Sequence, residues 1–284
     1  MQPPPPRDLD DVPPRAPGPQ QPGMHAVYPT EQNNKTKEPT NLAPGQHAVY
    51  PSPVAFDSND IRAAFIRKVF LITTIQLLVI VGVIAIFQFV PHVKRGLLAN
   101  PTLGLVLYIL SYIVFLISYL AISCCEGPRR KYPLNVICLI VLTISLSFLT
   151  GMITAFHRTE LVFVTMGVCA ACCFFIVILA TGCPIDFTKW IFVISVIGMA
   201  VFLFGIVIMF IYMLMPHPPK VLHTIFCAVA AALFMGYLAI DIQMIMGGKK
   251  YEISPEDWVF AASQLFVDIV FIFINLLGLF SSAK

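Results

Sequence analysis

The chain has 284 residues, 58% of them hydrophobic and only 12% charged, with a formal net charge of +3. Soluble domains carry about 25% charged residues, so this chain has too few to cover a globule in water, and its mean hydropathy of +0.83 agrees. A soluble enzyme, a coiled coil and a nucleic-acid binder are disfavoured, and a multi-pass membrane protein is predicted.

The first 60 residues differ from the rest. They hold 14 of the 23 prolines, with four basic residues against seven acidic ones. Met1 is followed by Gln2 and four prolines, with no basic or apolar run behind them, so no signal peptide is expected. Such a stretch cannot bury enough apolar surface to offset ordering entropy, which predicts a disordered, Pro-rich tail. Within it Gly23-Met24-His25-Ala26-Val27-Tyr28-Pro29 returns as Gly45-Gln46-His47-Ala48-Val49-Tyr50-Pro51. The repeat reads either as a bivalent linear motif displaying Tyr28 and Tyr50 to modular-domain partners, or as a drifted tandem duplication.

A spanning helix needs about 20 mainly apolar residues. Seven such runs follow, near 69–90, 102–125, 133–153, 161–181, 190–215, 221–246 and 258–280. Pro91-His92 closes the first and Asn100-Pro101 opens the second. Glu126-Gly127-Pro128-Arg129-Arg130-Lys131 separates the second and third, and Pro216-His217-Pro218-Pro219 the fifth and sixth. The short connections predict an antiparallel, all-α, seven-helix bundle over residues 61–284.

Lys and Arg set orientation. Arg62, Arg67, Lys68, Arg129, Arg130, Lys131, Lys189, Lys249 and Lys250 fall on one side, and Lys94, Arg95, Arg158, Lys220 and Lys284 on the other. This bias places the tail in the cytosol.

The eight cysteines do not form a disulfide framework. Cys169-x-x-Cys172-Cys173 has the spacing of metal ligands but no accompanying His or second pair, so no bound metal is expected. Cys124-Cys125, at the cytosolic end of the second run, reads as an acylation site or as plain helix-end residues.

Two acids stand out. Asp241 lies inside the sixth run and Asp268 inside the seventh, while no Lys or Arg lies inside any run. An acid at a helix centre costs about 2.5–3.5 kcal/mol to insert, so each is a functional candidate. Asp241 lies about 8 Å and Asp268 about 15 Å from the loop joining their helices, at 1.5 Å per residue. Fraying of a helix end would bring them level, with Tyr237, Gln264 and Asn275 extending the polar face. Such a pair shares a proton and forms a proton-responsive latch; the alternative is two unrelated acids, each neutral and hydrogen-bonded. A full calcium cage needs about 6–8 oxygens, which points to transient coordination of calcium at Asp241 and Asp268 rather than storage.

From Asp241-Ile242-Gln243-Met244-Ile245-Met246-Gly247-Gly248-Lys249-Lys250-Tyr251-Glu252-Ile253-Ser254-Pro255-Glu256-Asp257 through Asp268 and Asn275-Leu276-Leu277, the chain resembles the transmembrane Bax-inhibitor-motif family. Ile66 to Phe70 at the entry to the first run, and Arg130, Pro133 and Asn135 after the second, resemble its lifeguard and glutamate-receptor-associated branch. The resemblance covers about 60–284. It implies seven helices, six of them around a central, apolar last one. It also implies a pH-sensitive calcium leak from internal stores, suppression of cell death, and no cofactor beyond calcium as the permeant ion. The family's two pH-sensing acids match Asp241 and Asp268, and its latching arginine matches Arg129 or Arg130. Where the family commonly has Tyr-Asp-Thr-Gln, this chain has Ile240-Asp241-Ile242-Gln243, which leaves the acid fewer hydroxyl neighbours. The implied location is the endoplasmic reticulum, Golgi, endolysosomal or plasma membrane.

An intramembrane aspartyl protease also places an Asp on each of its sixth and seventh helices. Leu265-Phe266-Val267 before Asp268 does not match its Gly-x-Gly-Asp motif, and no proline follows Pro255. A G-protein-coupled receptor needs an outside N-terminus, against the charge bias. No enzymatic activity is therefore expected. The remaining alternative is a non-conducting regulator that binds apoptosis or receptor proteins. Protease protection on sealed microsomes tests the orientation. The tail is expected to be digested and the Asn34-Lys35-Thr36 sequon to stay unmodified; a protected tail or a glycan on Asn34 overturns the assignment.

Overall fold

The computed structural model describes residues 53–215 and 219–282. The Pro-rich tail with Tyr28 and Tyr50 lies outside them. Among the described residues the chain is helical, without strands: α1 (Pro53–Phe89), α2 (Pro91–Ala99), α3 (Pro101–Cys124), α4 (Glu126–Arg130), α5 (Leu134–Ala155), α6 (Thr159–Gly182), α7 (Ile191–Leu214), α8 (Lys220–Met246) and α9 (Trp258–Ser282). Turns of 3-10 helix at Phe187–Trp190 and Pro255–Asp257 lead into α7 and α9.

Seven of these helices are long and apolar enough to span a membrane, and they coincide with the seven predicted runs. The first differs most: its span begins at Asn59, ten residues before the predicted start, and takes in Arg62, Arg67 and Lys68. Apolar content alone places the start too late, because it cannot see the charged first turns of a helix that continues into the rim of the bundle.

Proline marks two of the breaks. A residue before proline is pushed out of the helical region; Val90, before Pro91, has φ −92° and ψ 102°, and Asn100, before Pro101, has φ −121° and ψ 79°. Between these breaks the chain forms α2, which the sequence reading leaves as a connection. Its Val93 and Leu97 pack against the buried cluster of Phe87, Met152 and Ala155.

The last helix is the hub. α9 packs against α1, α3, α5, α6 and α8, most extensively with its hairpin partner α8. Of its most apolar stretch 56% is buried, against 6% for α7. The helix therefore needs apolar side chains on every face, and Val259, Leu265, Phe266, Ile272 and Leu277 are each almost wholly buried. α7 is outermost and packs mainly on α8, so its side chains face lipid.

Most polar side chains in the interior are satisfied locally, although Thr73 Oγ1, Gln76 Oε1 and Ser147 Oγ have no partner among the described residues. On α5 the hydroxyls of Thr143, Ser145, Thr150 and Thr154 donate to carbonyls three or four residues earlier in the same helix. Gln76 of α1 donates to Thr143 Oγ1 at 2.8 Å, and Gln88 to the Thr154 carbonyl. At that same end His223 Nδ1 lies 3.1 Å from Ser282 Oγ, joining the start of α8 to the end of α9.

At the opposite end Arg62 caps α8. Its guanidinium donates to the carbonyls of Met244 (2.7 Å) and Ile253 (2.8 Å), so it binds α1 to the α8–α9 connection. The chain leaves α8 at Gly247, with φ 74° and ψ −174°, a region essentially confined to glycine. A Cβ at Gly247 would lie 2.6 Å from Arg62 Nη2. Gly247→Ala is expected to destabilise the protein by about 1–3 kcal/mol, read as a lower unfolding temperature in detergent. An unchanged temperature would mean that Arg62 does not fix this connection.

Candidate functional site

α8 and α9 form an antiparallel hairpin that carries Asp241 and Asp268 into the bundle. Both side chains are buried, at 5% and 6% exposure, and the two carboxyls come within hydrogen-bonding reach of each other. No helix end frays to achieve this: α8 runs intact to Met246 and α9 starts at Trp258. Asp241 is five residues from its end of the hairpin and Asp268 ten, so α9 begins about 7 Å further out than α8 ends. The connection supplies this offset. Ile253 N–H donates back to the Met244 carbonyl, and a 3-10 turn follows before α9 begins.

Three further titratable groups lie near enough to feel the charge of the pair: Tyr119 of α3 and Tyr237 of α8 that of both acids, and Cys173 of α6 that of Asp268. The Tyr119 hydroxyl donates to Gln264 Oε1 at 2.7 Å, linking α3 to α9 one turn before Asp268. Tyr237 donates to the Ile194 carbonyl of α7 at 3.1 Å. Asn275 bonds to its own helix at the Phe271 carbonyl. Asp268 Oδ2 is buried with no hydrogen-bond partner among the described residues.

An aromatic chain runs alongside. Tyr119 stacks on Phe115, Phe115 meets Phe271, Phe271 stacks on Phe234 at 4.9 Å, and Phe234 meets Tyr237. Beyond it lies a cavity of about 650 Å³ between α3, α7, α8 and α9, with Tyr108, Tyr112, Tyr237 and Asn275 on its wall.

The arginines expected to latch onto the pair do not reach it. Arg129 donates to Asp257 Oδ2 at 2.5 Å, and Arg130 donates to both Asp257 oxygens, at 2.7 and 3.1 Å. Arg130 also lies 3.3 Å from Glu256. Asp257 holds both guanidiniums more firmly in their charged form, above their usual range. It precedes Asp268 by eleven residues, about 16 Å along the helix. Reach decides the partner: α4 is a five-residue helix at the rim, and the buried carboxylate it meets on the α9 side is Asp257.

Two contributors are invisible to a search for charges inside apolar runs. Tyr119 lies in a run of aromatics and gives no local signal. Gln243, 1% exposed, donates to the carbonyls of Ala180 (3.2 Å) and Ile185 (2.9 Å) and accepts from Phe187 N–H at 2.7 Å. It fixes the α6–α7 connection to α8. Beside it Asp186 accepts from the Thr188 hydroxyl and amide and from Lys250 N–H, which hold its carboxyl below the usual range.

The family model described as "Inhibitor of apoptosis-promoting Bax1" matches residues 62–284. The chain belongs to this Bax-inhibitor family. It is 36% identical over 234 residues to Protein lifeguard 3 of Mus musculus, covering 81% of this chain and 72% of that protein. It is likewise 36% identical over 227 residues to Protein lifeguard 3 of Homo sapiens, covering 80% and 71%. Similarity to Protein LIFEGUARD 1 of Arabidopsis thaliana is 28% over 234 residues, covering 80% and 92%. In this Bax-inhibitor chain, the matched region includes the acid pair and the rim lock at Asp257.

The rim lock has an energetic signature. Removing one partner of a fully buried ion pair costs roughly 3–5 kcal/mol. Here Asp257 is buried while both arginines are partly solvated, so Asp257→Asn is expected to cost about 2–3 kcal/mol. Arg129→Ala or Arg130→Ala alone should cost less, since the other guanidinium remains on the carboxylate. Thermal unfolding of the purified variants checks the order; equal losses in all three would refute a shared lock.

Proposed function

We propose that this membrane protein is a proton-regulated calcium leak of internal membranes and that it restrains cell death through calcium handling. One observation carries the reading: two carboxyls paired with each other in an apolar interior, with no Lys or Arg beside them and one oxygen unpartnered among the described residues. The charged groups nearest in the rim are already engaged with Asp257. Among the described residues the titratable groups that feel the charge of the pair include the phenols of Tyr119 and Tyr237 and the thiol of Cys173.

Two carboxylates this close cannot both ionise cheaply. Their negative charge is neutralised by a proton or by a cation arriving from outside. A proton held between Asp241 and Asp268 keeps α8 and α9 together, and its loss favours a passing divalent ion, which the two carboxylates meet with oxygens of the preferred type. Weak coordination suits permeation, since conduction requires an ion to leave as readily as it enters. The cavity bounded by Tyr237 and Asn275 offers an approach from the side opposite the basic rim, and Tyr119 with Gln264 closes the pair towards that rim. In this reading the N-terminus is cytosolic, and calcium leaves the lumen of an endoplasmic reticulum, Golgi or endolysosomal compartment.

The test is calcium release from liposomes as a function of pH, with matched amounts of wild type, Asp241→Asn and Asp268→Asn. Wild type should leak in a pH-dependent manner. Both single variants should lose that dependence in the same way, because a coupled pair titrates as a unit. An unchanged profile in either variant removes the shared-proton mechanism. No flux through folded wild type would leave the family role to binding of apoptosis or receptor proteins.

A further inference from the structure

The cysteines divide sharply by environment. Cys169 and Cys227 are buried, and Cys138, Cys172, Cys173 and Cys183 are partly covered, while only Cys124 and Cys125 are exposed. Buried cysteines act as small apolar packing groups, and Cys169 and Cys227 also make polar contacts, with the Ile269 carbonyl and with His223. Among the described residues the thiols of Cys124 and Cys125 have no hydrogen-bond partner, and packing gives no reason for two adjacent cysteines there.

Their position is specific. Cys124 is the last residue of the α3 span. Cys125 leaves the helix with φ −113° and ψ 128° and is followed at once by Glu126 and the Arg129-Arg130 helix. Both thiols thus sit at the boundary between apolar and charged chain. Below Cys124 at helical spacing lie Leu120, Ile117, Ile113 and Leu110, all exposed at 46–63%. They form one outward stripe down α3, along which a hydrocarbon chain attached at Cys124 would lie in the bilayer. Cys125, off the helix, presents its thiol at the same level.

We propose that Cys124 and Cys125 are S-acylated with long fatty chains. The thiolate Sγ attacks the carbonyl carbon of a long-chain acyl-coenzyme A, supplied through a membrane acyltransferase. A new sulfur–carbon bond forms, the bond between the acyl carbon and the coenzyme A sulfur breaks, and the thiol proton ends on the released coenzyme A. The exchange is thiol for thiol, with no change of oxidation state. It requires the basic rim to face the cytosol, where acyl-coenzyme A is found, but it does not depend on calcium conduction.

The full-length protein is expressed in cultured cells and its free thiols are blocked. Thioesters are then cleaved with hydroxylamine, and each released thiol receives a mass tag. Wild type should gain two tags that depend on hydroxylamine, Cys124→Ser and Cys125→Ser one each, and the double variant none. Because neither thiol has a packing role, the double variant should keep the wild-type unfolding temperature, which separates loss of the site from loss of fold. No tag on wild type, or tags retained by the double variant, would overturn the proposal.

Discussion

In hydrocarbon a polar group has no water to fall back on, so every buried donor and acceptor must find its partner inside the protein. Most of this bundle follows from that constraint. Hydroxyls on α5 turn back to their own helix, Gln76 and Gln88 bridge α1 to α5, and Gln243 uses both its donor and its acceptor on the α6–α7 connection. Single atoms such as Thr73 Oγ1, Gln76 Oε1 and Ser147 Oγ go without a partner, but Asp241 and Asp268 are the pair of acids that the constraint presses hardest. Among the described residues they have each other, one oxygen without a partner, and no cation at hand.

The rim works by opposite rules. Arg62 closes the end of α8 through two carbonyls, Lys68 lies 3.6 Å above the Trp258 ring, and Asp257 gathers two arginines. The arginines stay charged because water reaches them, the buried Asp257 because both guanidiniums hold it, and together they fix the depth at which α9 enters. The offset that brings Asp268 level with Asp241 is therefore set outside the membrane, at the connection that Arg62 and Asp257 secure.

Much of this was legible in the sequence. Seven apolar runs translate directly into seven helices, because length and hydropathy suffice for a spanning segment. Asp241 and Asp268 stand out because a lone acid in such a run needs a reason. What periodicity could not supply was partner choice. Arg129 and Arg130 look equally suited to any acid on α9, and only the short reach of α4 assigns them to Asp257. Tyr119 is one aromatic among many until α3 is placed against α9. The depth offset of the last hairpin is missed for a related reason: residue counts measure rise along each helix but not how far the connection swings beyond it.

The hydroxyls of α5 have a consequence for how the chain enters the bilayer. Those of Thr143, Ser145, Thr150 and Thr154 are bonded within their own helix, and of the α5 hydroxyls Ser147 Oγ alone has no partner among the described residues, so α5 carries its polar face into lipid largely satisfied and can insert before any neighbour arrives. The last two helices have no such independence. Asp241 and Asp268 are completed only by one another, across a connection of about a dozen residues. During synthesis α8 must therefore wait at the translocation machinery, or enter with its acid protonated, until α9 emerges. The hairpin that holds the acid pair is thus the part whose biogenesis depends on two segments being handled together.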